Sequence, residues 1–530
     1  MWNFILICKK KSVIEKKINL SVTPKEASDR VLYTQIAIER LGIDEKDVTS
    51  VVLRRRSIDA RQRNILVNLG LSVYLNGLPE PSKWDKDYKN VEHKTPVGIV
   101  GSGPAGLFAA LKLLEEGYRP VIFERGKDVS ERKKDIAKMY KDSEVNGESN
   151  YAFGEGGAGT FSDGKLYTRS KKRGKIQDVL DVFVHFGADP EISLDARPHI
   201  GTDKLPGIIA SIRKKIIECG GEIHFNSRVS ELILKDKECK GVVLSDGTRY
   251  EFPGVILSTG HSARDIYEML TREGIALEEK AFAMGVRVEH PQKLIDEISY
   301  HAPERGEYLP PATYKFAKQV QERGVYSFCM CPGGFIVPAG TSSGEIVVNG
   351  MSSSQRNSPY ANSGLVVEIR PEDLKDYSFD GIFAGLDFQR ELEQKCFQWS
   401  DHSLKAPAQR LTDFIKGRES SSLPDTSYIP GLVSVNLRKN MPSAIASRLQ
   451  EGLMMINQGS RGFVSSEAIA VGVESRTSSP LRIPRDPETM THINVKGLYP
   501  CGEGAGYAGG IVSSAIDGER CAMALVKILN

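Results

Sequence analysis

Three glycines and one acid are spaced in this chain as the binding of a dinucleotide requires. Gly101, Gly103 and Gly106 follow the apolar run 97–100, and Glu124 closes a second apolar run. The first glycine allows a tight turn, the second lets the backbone approach a pyrophosphate, and the third lets a helix pack close to the strand. An acid about 20 residues further on reaches a ribose hydroxyl. The pattern predicts a strand–helix–strand unit that binds a dinucleotide.

A second glycine-rich segment lies near the end of the chain, at residues 502–510. It predicts a strand that ends in Gly502 and Glu503, followed by a helix from Gly510 whose positive N-terminus points at the cofactor. Flavins benefit from this arrangement, because reduction places negative charge near N1 and C2=O of the ring. A dehydrogenase that uses only NAD needs no such segment. The two glycine segments together favour FAD, held in a site with two halves.

A glycine-rich loop covers residues 153–165. It matches the spacing of a dinucleotide motif and of a P-loop. However, no apolar strand precedes it, and Leu166 stands where a P-loop has Ser or Thr for magnesium. We therefore expect a lid over the cofactor, with Gly156 and Gly157 in contact and Lys165 near the flavin ring.

Small residues after another apolar run, 254–258, suit a chain that passes close to the cofactor, and Thr259 and Gly260 are the contacts expected there. The complete set of expected cofactor contacts is Gly101, Gly103, Pro104, Ala105, Gly106, Glu124, Arg125, Gly156, Gly157, Thr259, Gly260, Gly502, Glu503 and Gly510.

No motif marks a catalytic residue. His199, His261 and Lys165 are the candidates, because they fall in loops on the expected cofactor side, where an imidazole can act as a general base. A hydrogen-bonded structural role is the alternative for each histidine. Arg287 and Arg476 could orient a substrate carboxylate, with ordinary ion pairs as the alternative.

Cys329 and Cys331 form a CxC motif ahead of a Pro-Gly turn. A redox dithiol or a thiolate pair for a metal could use such a motif. The spacing is unusual for both, and no second Cys/His pair in the sequence has matching spacing. We expect a buried pair in a strand, and no metal site.

Length and composition are typical of a multidomain globular protein. Of 530 residues, 40% are hydrophobic and 26% charged, and the net charge of +3 does not suggest a nucleic-acid-binding protein. The eight cysteines are scattered, as in a reducing cytosol. Apolar residues 1–7 precede a lysine run, the reverse of a signal peptide, so we expect a frayed end or an edge strand there. No apolar run approaches the roughly 18 residues of a membrane span, and we expect a cytoplasmic protein without a membrane partner.

The element pattern predicts an α/β fold with a split, Rossmann-type FAD-binding domain. We expect a small N-terminal α+β domain over residues 1–90 and the first FAD-binding part over 91–280. An inserted α+β substrate domain would follow over 281–434, and the second FAD-binding part over 435–530.

The two glycine segments resemble the glutathione-reductase-type FAD superfamily. More narrowly, six further segments resemble a poorly characterised bacterial family of FAD-dependent dehydrogenases, or NAD(P)/FAD-dependent oxidoreductases: 153–165, 198–203, 260–265, 288–291, 328–334 and 474–480. The resemblance covers nearly the whole chain. It implies one FAD per chain and a FAD domain interrupted by a family-specific domain, but no known substrate. Glu503 departs from the superfamily, in which many members have Asp.

These features together predict a FAD-dependent oxidoreductase that transfers a hydride between flavin and a small organic substrate, with NAD(P)H as one transient donor that the pattern allows. Two alternatives stay open. A flavin-dependent RNA-modifying enzyme would bind phosphates through the basic runs 54–63 and 169–173. A flavoprotein electron carrier would have no small-molecule substrate of its own.

Overall fold

The computed structural model describes residues 12–80, 84–167 and 174–530. Within them the chain forms two compact units. The smaller consists of the residues up to 85 together with 189–198 and 305–310, and the larger contains the rest. Residues 1–7, expected to be a frayed end or an edge strand, and the basic run 169–173 lie outside the described residues.

The smaller unit is a three-stranded antiparallel sheet with two helices. Its elements are β1 (Ile14–Val22), α1 (Pro24–Ser28), α2 (Arg30–Leu41), β2 (Val48–Asp59) and β3 (Leu66–Leu75). The central strand is β3, and its alternate residues Leu69 and Leu71 pack in one cluster with Ala37 of α2. This burial of one sheet face under a helix is what the alternating polarity of the strands requires.

The basic run 54–63 belongs to β2 and the turn after it. Arg54 donates to Ser72, Arg56 pairs with Asp195 at 2.9 Å, and Arg61 pairs with Asp59. Three of its five arginines thus have protein partners, which favours a structural role over phosphate binding.

The first part of the larger unit alternates strands and helices. In chain order these are β4 (Pro96–Val100), α3 (Pro104–Glu116), β5 (Arg119–Phe123), α4 (Val129–Asp142), α5 (Ile176–His185), α6 (Leu205–Glu218), β6 (Glu222–His224), β7 (Val229–Lys235), β8 (Glu238–Leu244), β9 (Arg249–Glu251), β10 (Val255–Leu257) and α7 (Arg264–Arg272).

The middle part is richer in strands. Its elements are β11 (Glu278–Glu279), β12 (Phe282–Pro291), α8 (Gln292–Tyr300), β13 (Ala317–Val320), β14 (Arg323–Cys331), β15 (Gly334–Pro338), β16 (Val348–Ser352), β17 (Tyr360–Ile369), α9 (Pro371–Leu374), α10 (Ala384–Trp399), β18 (Ala406–Arg410), α11 (Leu411–Lys416), β19 (Leu432–Ser434), α12 (Leu437–Asn440), α13 (Ser443–Gly459) and β20 (Ile469–Glu474). The last part consists of β21 (Leu481–Arg482), β22 (Leu498–Pro500) and α14 (Ile511–Leu529).

A parallel five-stranded sheet joins the first and last parts of the larger unit. Its strand order is β22-β10-β4-β5-β6, so a strand from the end of the chain pairs with β10. Helix α14 packs against α3. The predicted α/β fold with a split Rossmann-type domain is confirmed. None of the helices described is both long and apolar enough to cross a bilayer.

The middle part is built on a seven-stranded sheet, in the order β13-β14-β17-β12-β20-β18-β19. The second FAD-binding part was expected from residue 435, but β20 lies beyond that residue and pairs with β12 and β18. The chain therefore returns to the Rossmann sheet only with β22. The expected boundary was too early because β20 is buried on both faces, and its continuous apolar run is the same as that of a Rossmann strand.

Candidate functional site

A cavity of ≈ 400 Å³ opens in the larger unit. Its wall contains residues that follow β4, β5, β10 and β22, and residues of β14, β15, β16 and β20. Open α/β sheets bind their ligands at the carboxyl ends of parallel strands. The cavity is also within the size range of small-molecule sites, about 300–1,000 Å³. It is the candidate site.

The first glycine turn forms one side of this cavity. Gly101 has φ +99°, and a Cβ on it would lie 2.9 Å from the carbonyl oxygen of Ser258. A Cβ on Gly106 would lie 2.0 Å from the carbonyl oxygen of Gly101. Gly103 is the N-cap of α3, and no described side chain caps that helix. The first N–H groups of α3 are therefore left for a ligand.

Glu124 connects this turn to neighbouring segments through hydrogen bonds. One of its carboxylate oxygens accepts hydrogen bonds from the backbone N–H and the hydroxyl of Ser102, at 3.0 and 2.8 Å. The other accepts from the backbone N–H groups of Gly126 and Gly154, at 3.0 and 3.1 Å. Glu124 is also among the residues that line the cavity. It joins the turn, the end of β5 and the glycine-rich loop at one point.

The start of α14 borders the same cavity. Its N-cap is Gly510, and among the described residues no side chain caps this helix. A Cβ on Gly260, Gly509 or Gly510 would meet no atom within 4 Å, so these glycines leave open space at the wall. Two uncapped helix N-termini and a glycine wall suit a ligand with phosphates and an electron-rich ring edge. The residues present fit FAD.

Most of the expected cofactor contacts lie in the cavity wall. The exceptions are Gly106, Gly156 and Gly502. Gly106 packs on Gly101, as described above. The backbone N–H of Gly156 donates to the carbonyl of Ser102, and that of Gly502 donates to Asp517. These three shape the wall from behind.

Of the three catalytic candidates, His261 and Lys165 line the cavity and His199 does not. His199 Nε2 lies 3.2 Å from the carbonyl oxygen of Ser354, and burial lowers the pKa of this imidazole. His261 Nδ1 lies 3.6 Å from Glu503 Oε1. Burial, reinforced by Arg476 and Lys280, lowers the pKa of His261 to about 3, so its ring is neutral.

Two acids at the cavity have pKa values that burial raises. Burial raises the pKa of Glu503 to about 7, against the opposing charge of Lys280. Burial also raises the pKa of Glu474 to about 7, against Arg287. The sequence reasoning missed Glu474, and the available signal was an acid that closes the buried apolar run 469–473.

Arg287 and Arg476 are both held by acids. Arg287 is fully buried, outside the cavity wall, with Nη1 at 2.7 Å from Glu474. Arg476 lines the cavity, and its Nη2 lies 2.8 Å from Glu393 and 3.1 Å from Glu345. The ion-pair interpretation of both arginines fits these contacts.

Among the described residues, Cys501, Asp517 and Cys521 bring potential metal ligands within 4.8 Å of one another. The guanidinium of Arg485 donates to both Asp517 oxygens and lies 3.3 Å from Cys521 Sγ. Because this group already supplies the positive charge, the cluster does not suit a metal ion.

Three family models match parts of the chain. A model described as "FAD-dependent protein, C-terminal domain-like" matches residues 281–477, and an NAD(P)-binding Rossmann-like domain matches residues 99–152. A domain of unknown function (DUF8436) matches residues 14–74.

Relatives match over different lengths. The chain is 40% identical to an uncharacterized protein of Clostridium beijerinckii over 509 residues, which are 92% of this chain and 94% of the relative. It is 23% identical to the thiamine thiazole synthase of Pyrococcus horikoshii over 193 residues, 34% of this chain and 63% of that protein. A crystal structure of CtdE in complex with FAD is 13% identical, with 81% of this chain and 84% of CtdE covered and a TM-score of 0.31.

Proposed function

The chain belongs to the family of the uncharacterized Clostridium beijerinckii protein, and its domains are those of FAD-dependent flavoenzymes; from this premise we propose that it is an oxidoreductase that transfers a hydride between FAD and a small organic substrate. One observation carries the proposal. Helices α3 and α14, from opposite ends of the chain, both begin at the wall of one cavity, and no described side chain caps either.

We place the adenosine and pyrophosphate of FAD along Gly101, Gly103 and the start of α3. A ribose hydroxyl can reach Glu124 only by sharing its oxygens with the backbone donors already bound there. The ring would lie toward Lys165 and Glu503. Bound FAD supplies the chemistry of reversible hydride transfer.

The residues of the chain prepare the site for that chemistry. The N-terminus of α14 would stabilise negative charge on the ring of bound FAD. Glu503 and Glu474 can hold or release a proton near neutral pH, because burial raises the pKa of each to about 7. Neutral His261 can offer either a donor or an acceptor nitrogen.

The electron donor and the location in the cell are proposals of the same kind. A single dinucleotide unit in the described residues supports transient binding of NAD(P)H rather than a dedicated nicotinamide domain. Seven free cysteines among the described residues support a cytoplasmic location.

The test begins with the purified protein. We expect yellow protein that releases FAD on denaturation, and a colourless protein with no FAD affinity would contradict the proposal. An anaerobic screen then follows flavin bleaching by NADH, NADPH and candidate metabolites. Bleaching by a specific metabolite supports the oxidoreductase, whereas bleaching by nicotinamides with no metabolite turnover would support an electron carrier instead.

A further inference from the structure

The CxC motif lies at the cavity, at an irregular end of β14. The pairing of β14 with β17 shifts register between Phe328 and Cys331. Cys329, inside this irregularity, has φ +44°, a left-handed conformation that non-glycine residues rarely adopt. Cys329 lines the cavity, while Cys331 is fully buried behind it. Backbone outliers of this kind cluster at functional sites.

A single ammonium group contacts both sulfurs. Lys165 Nζ lies 3.8 Å from Cys329 Sγ and 3.5 Å from Cys331 Sγ. It comes from the end of the glycine-rich loop, 164 positions before Cys329. Asp163 Oδ2, at 3.3 Å, is the anion that holds Lys165 in place. Both sulfurs therefore contact the same ammonium group, although only Cys329 lines the cavity.

Arg287 also contacts both cysteines. Its Nη2 donates to the carbonyl oxygen of Cys329 at 2.7 Å and lies 3.7 Å from Cys331 Sγ. A hydrogen bond from Cys331, opposed by burial and reinforced by Lys165, holds the pKa of Cys329 well below its usual range. The same hydrogen bond and burial raise the pKa of Cys331. One thiolate and one thiol is the resting state that this arrangement favours.

On the basis of the proposed FAD site, we infer that Cys329 and Cys331 form a redox dithiol that exchanges two electrons with the flavin. The Cys329 thiolate and the Cys331 thiol form an Sγ–Sγ bond and release two electrons and one proton. Oxidised flavin takes up those two electrons and one proton and becomes the reduced anion. Lys165 is a positioning residue, because its charge stabilises the reactive thiolate before the bond forms.

Stoichiometric anaerobic titration of the air-oxidised flavoprotein with dithionite tests the inference. Wild type carries an oxidised flavin and a disulfide, so we expect full reduction to consume about twice as much dithionite as in Cys329→Ser or Cys331→Ser, which have the flavin alone. Cys219→Ser is the matched control. Its sulfur donates to the carbonyl oxygen of Tyr88, away from the cavity wall, and this variant should titrate like wild type.

A second measurement locates the disulfide directly. Differential alkylation and peptide mass spectrometry of wild type should find a Cys329–Cys331 disulfide after oxidation and two free thiols after reduction. In the reduced protein, Lys165→Met should slow alkylation of Cys329 by about tenfold while Cys219 is unaffected.

Equal dithionite consumption in all four proteins, or free thiols at both positions in the oxidised enzyme, would overturn the dithiol while leaving the FAD site intact. Protein that binds no FAD would instead overturn the proposed function, and with it the electron acceptor named here.

Discussion

The two sides of the cavity are built from different chemistry. The glycine side is formed by Gly101, Gly103 and Gly260, with Gly106 packed behind Gly101. It offers backbone donors, and open space at Gly260. The ionisable side, formed by Lys165, Cys329, Glu474 and Glu503, offers titratable groups whose pKa values are all displaced. Holding a cofactor requires rigid space, whereas moving protons and electrons requires groups poised between two states. We therefore propose that the glycine side binds the cofactor and that the ionisable side takes part in the chemistry.

The largest effect on stability is expected from removing Arg287, which pairs with Glu474 of the ionisable side. Arg287→Met would leave Glu474 buried without its counterion and Asn362 and the Cys329 carbonyl without their donor. We expect a loss of about 3–5 kcal/mol in the free energy of unfolding, measured by chemical denaturation.

Two controls sharpen this experiment. Arg61→Ala, in an exposed pair, should leave the free energy of unfolding nearly unchanged. Adding Glu474→Gln to Arg287→Met should recover part of the loss, because the acid left without a partner is removed. If Arg287→Met were as stable as Arg61→Ala, the ionisable side would not depend on this ion pair.

The next largest effect belongs to the glycine side. In Gly106→Ala the new methyl would lie 2.0 Å from the carbonyl oxygen of Gly101 and 2.9 Å from Ser258 Oγ. We expect a destabilisation of about 1–3 kcal/mol and loss of FAD, because α3 must move away from β4. Thermal unfolding and flavin content measure the two effects.

Gly207→Ala is its matched control. Gly207 is exposed in α6, and a Cβ there meets no atom within 4 Å. It should stabilise the helix by up to about 1 kcal/mol and keep FAD. Full flavin content in Gly106→Ala would contradict the close packing of α3 on the turn.

The glycine side could be predicted from sequence because its signals are local. The turn at Gly101, the packing at Gly106 and the acid at Glu124 all lie within one strand–helix–strand unit, and each glycine has a steric reason. Even so, the hydrogen bond that Glu124 accepts from Gly154 was not predictable, because Gly154 comes from a segment without regular structure.

The contacts within the ionisable side could not be predicted, although Lys165 and Glu503 were expected at the site, because the partners come from distant elements. Glu474 meets Arg287 only through the register of β12 and β20, and Lys165 meets Cys329 only through the packing of a loop on β14. The domain boundary expected at residue 435 was misplaced for a related reason. A buried strand such as β20 shows the same apolar pattern in either sheet, so its sequence does not indicate which sheet it joins.

A smaller effect is expected in the pH dependence of stability, which tests the raised pKa of Glu503. Its pKa is about 7 in the folded protein and near 4.5 in the unfolded chain. Between these values the folded state binds the extra proton, so stability falls as pH rises. Glu503→Gln removes this loss, and wild type should lose on the order of 1 kcal/mol relative to the variant across that window, with the value reduced by water in the cavity. Thermal unfolding at several pH values measures this difference. If the melting temperatures of wild type and Glu503→Gln change equally with pH over the window, the raised pKa of Glu503 is contradicted.

The smallest effect on stability should come from Gly260→Ala. A methyl there meets no protein atom within 4 Å, so the free energy of unfolding should change by less than about 0.5 kcal/mol. The methyl would instead occupy space that we assign to the cofactor, and FAD affinity, measured by flavin fluorescence, should fall by about tenfold, or about 1.4 kcal/mol. Gly207→Ala should bind FAD like wild type. If Gly260→Ala weakens FAD binding and leaves stability unchanged, the space beside Gly260 is used by the ligand and not by protein packing. Unchanged affinity would mean that FAD does not pass Gly260, and the glycine side would then have to be redrawn around Gly101 and Gly103 alone.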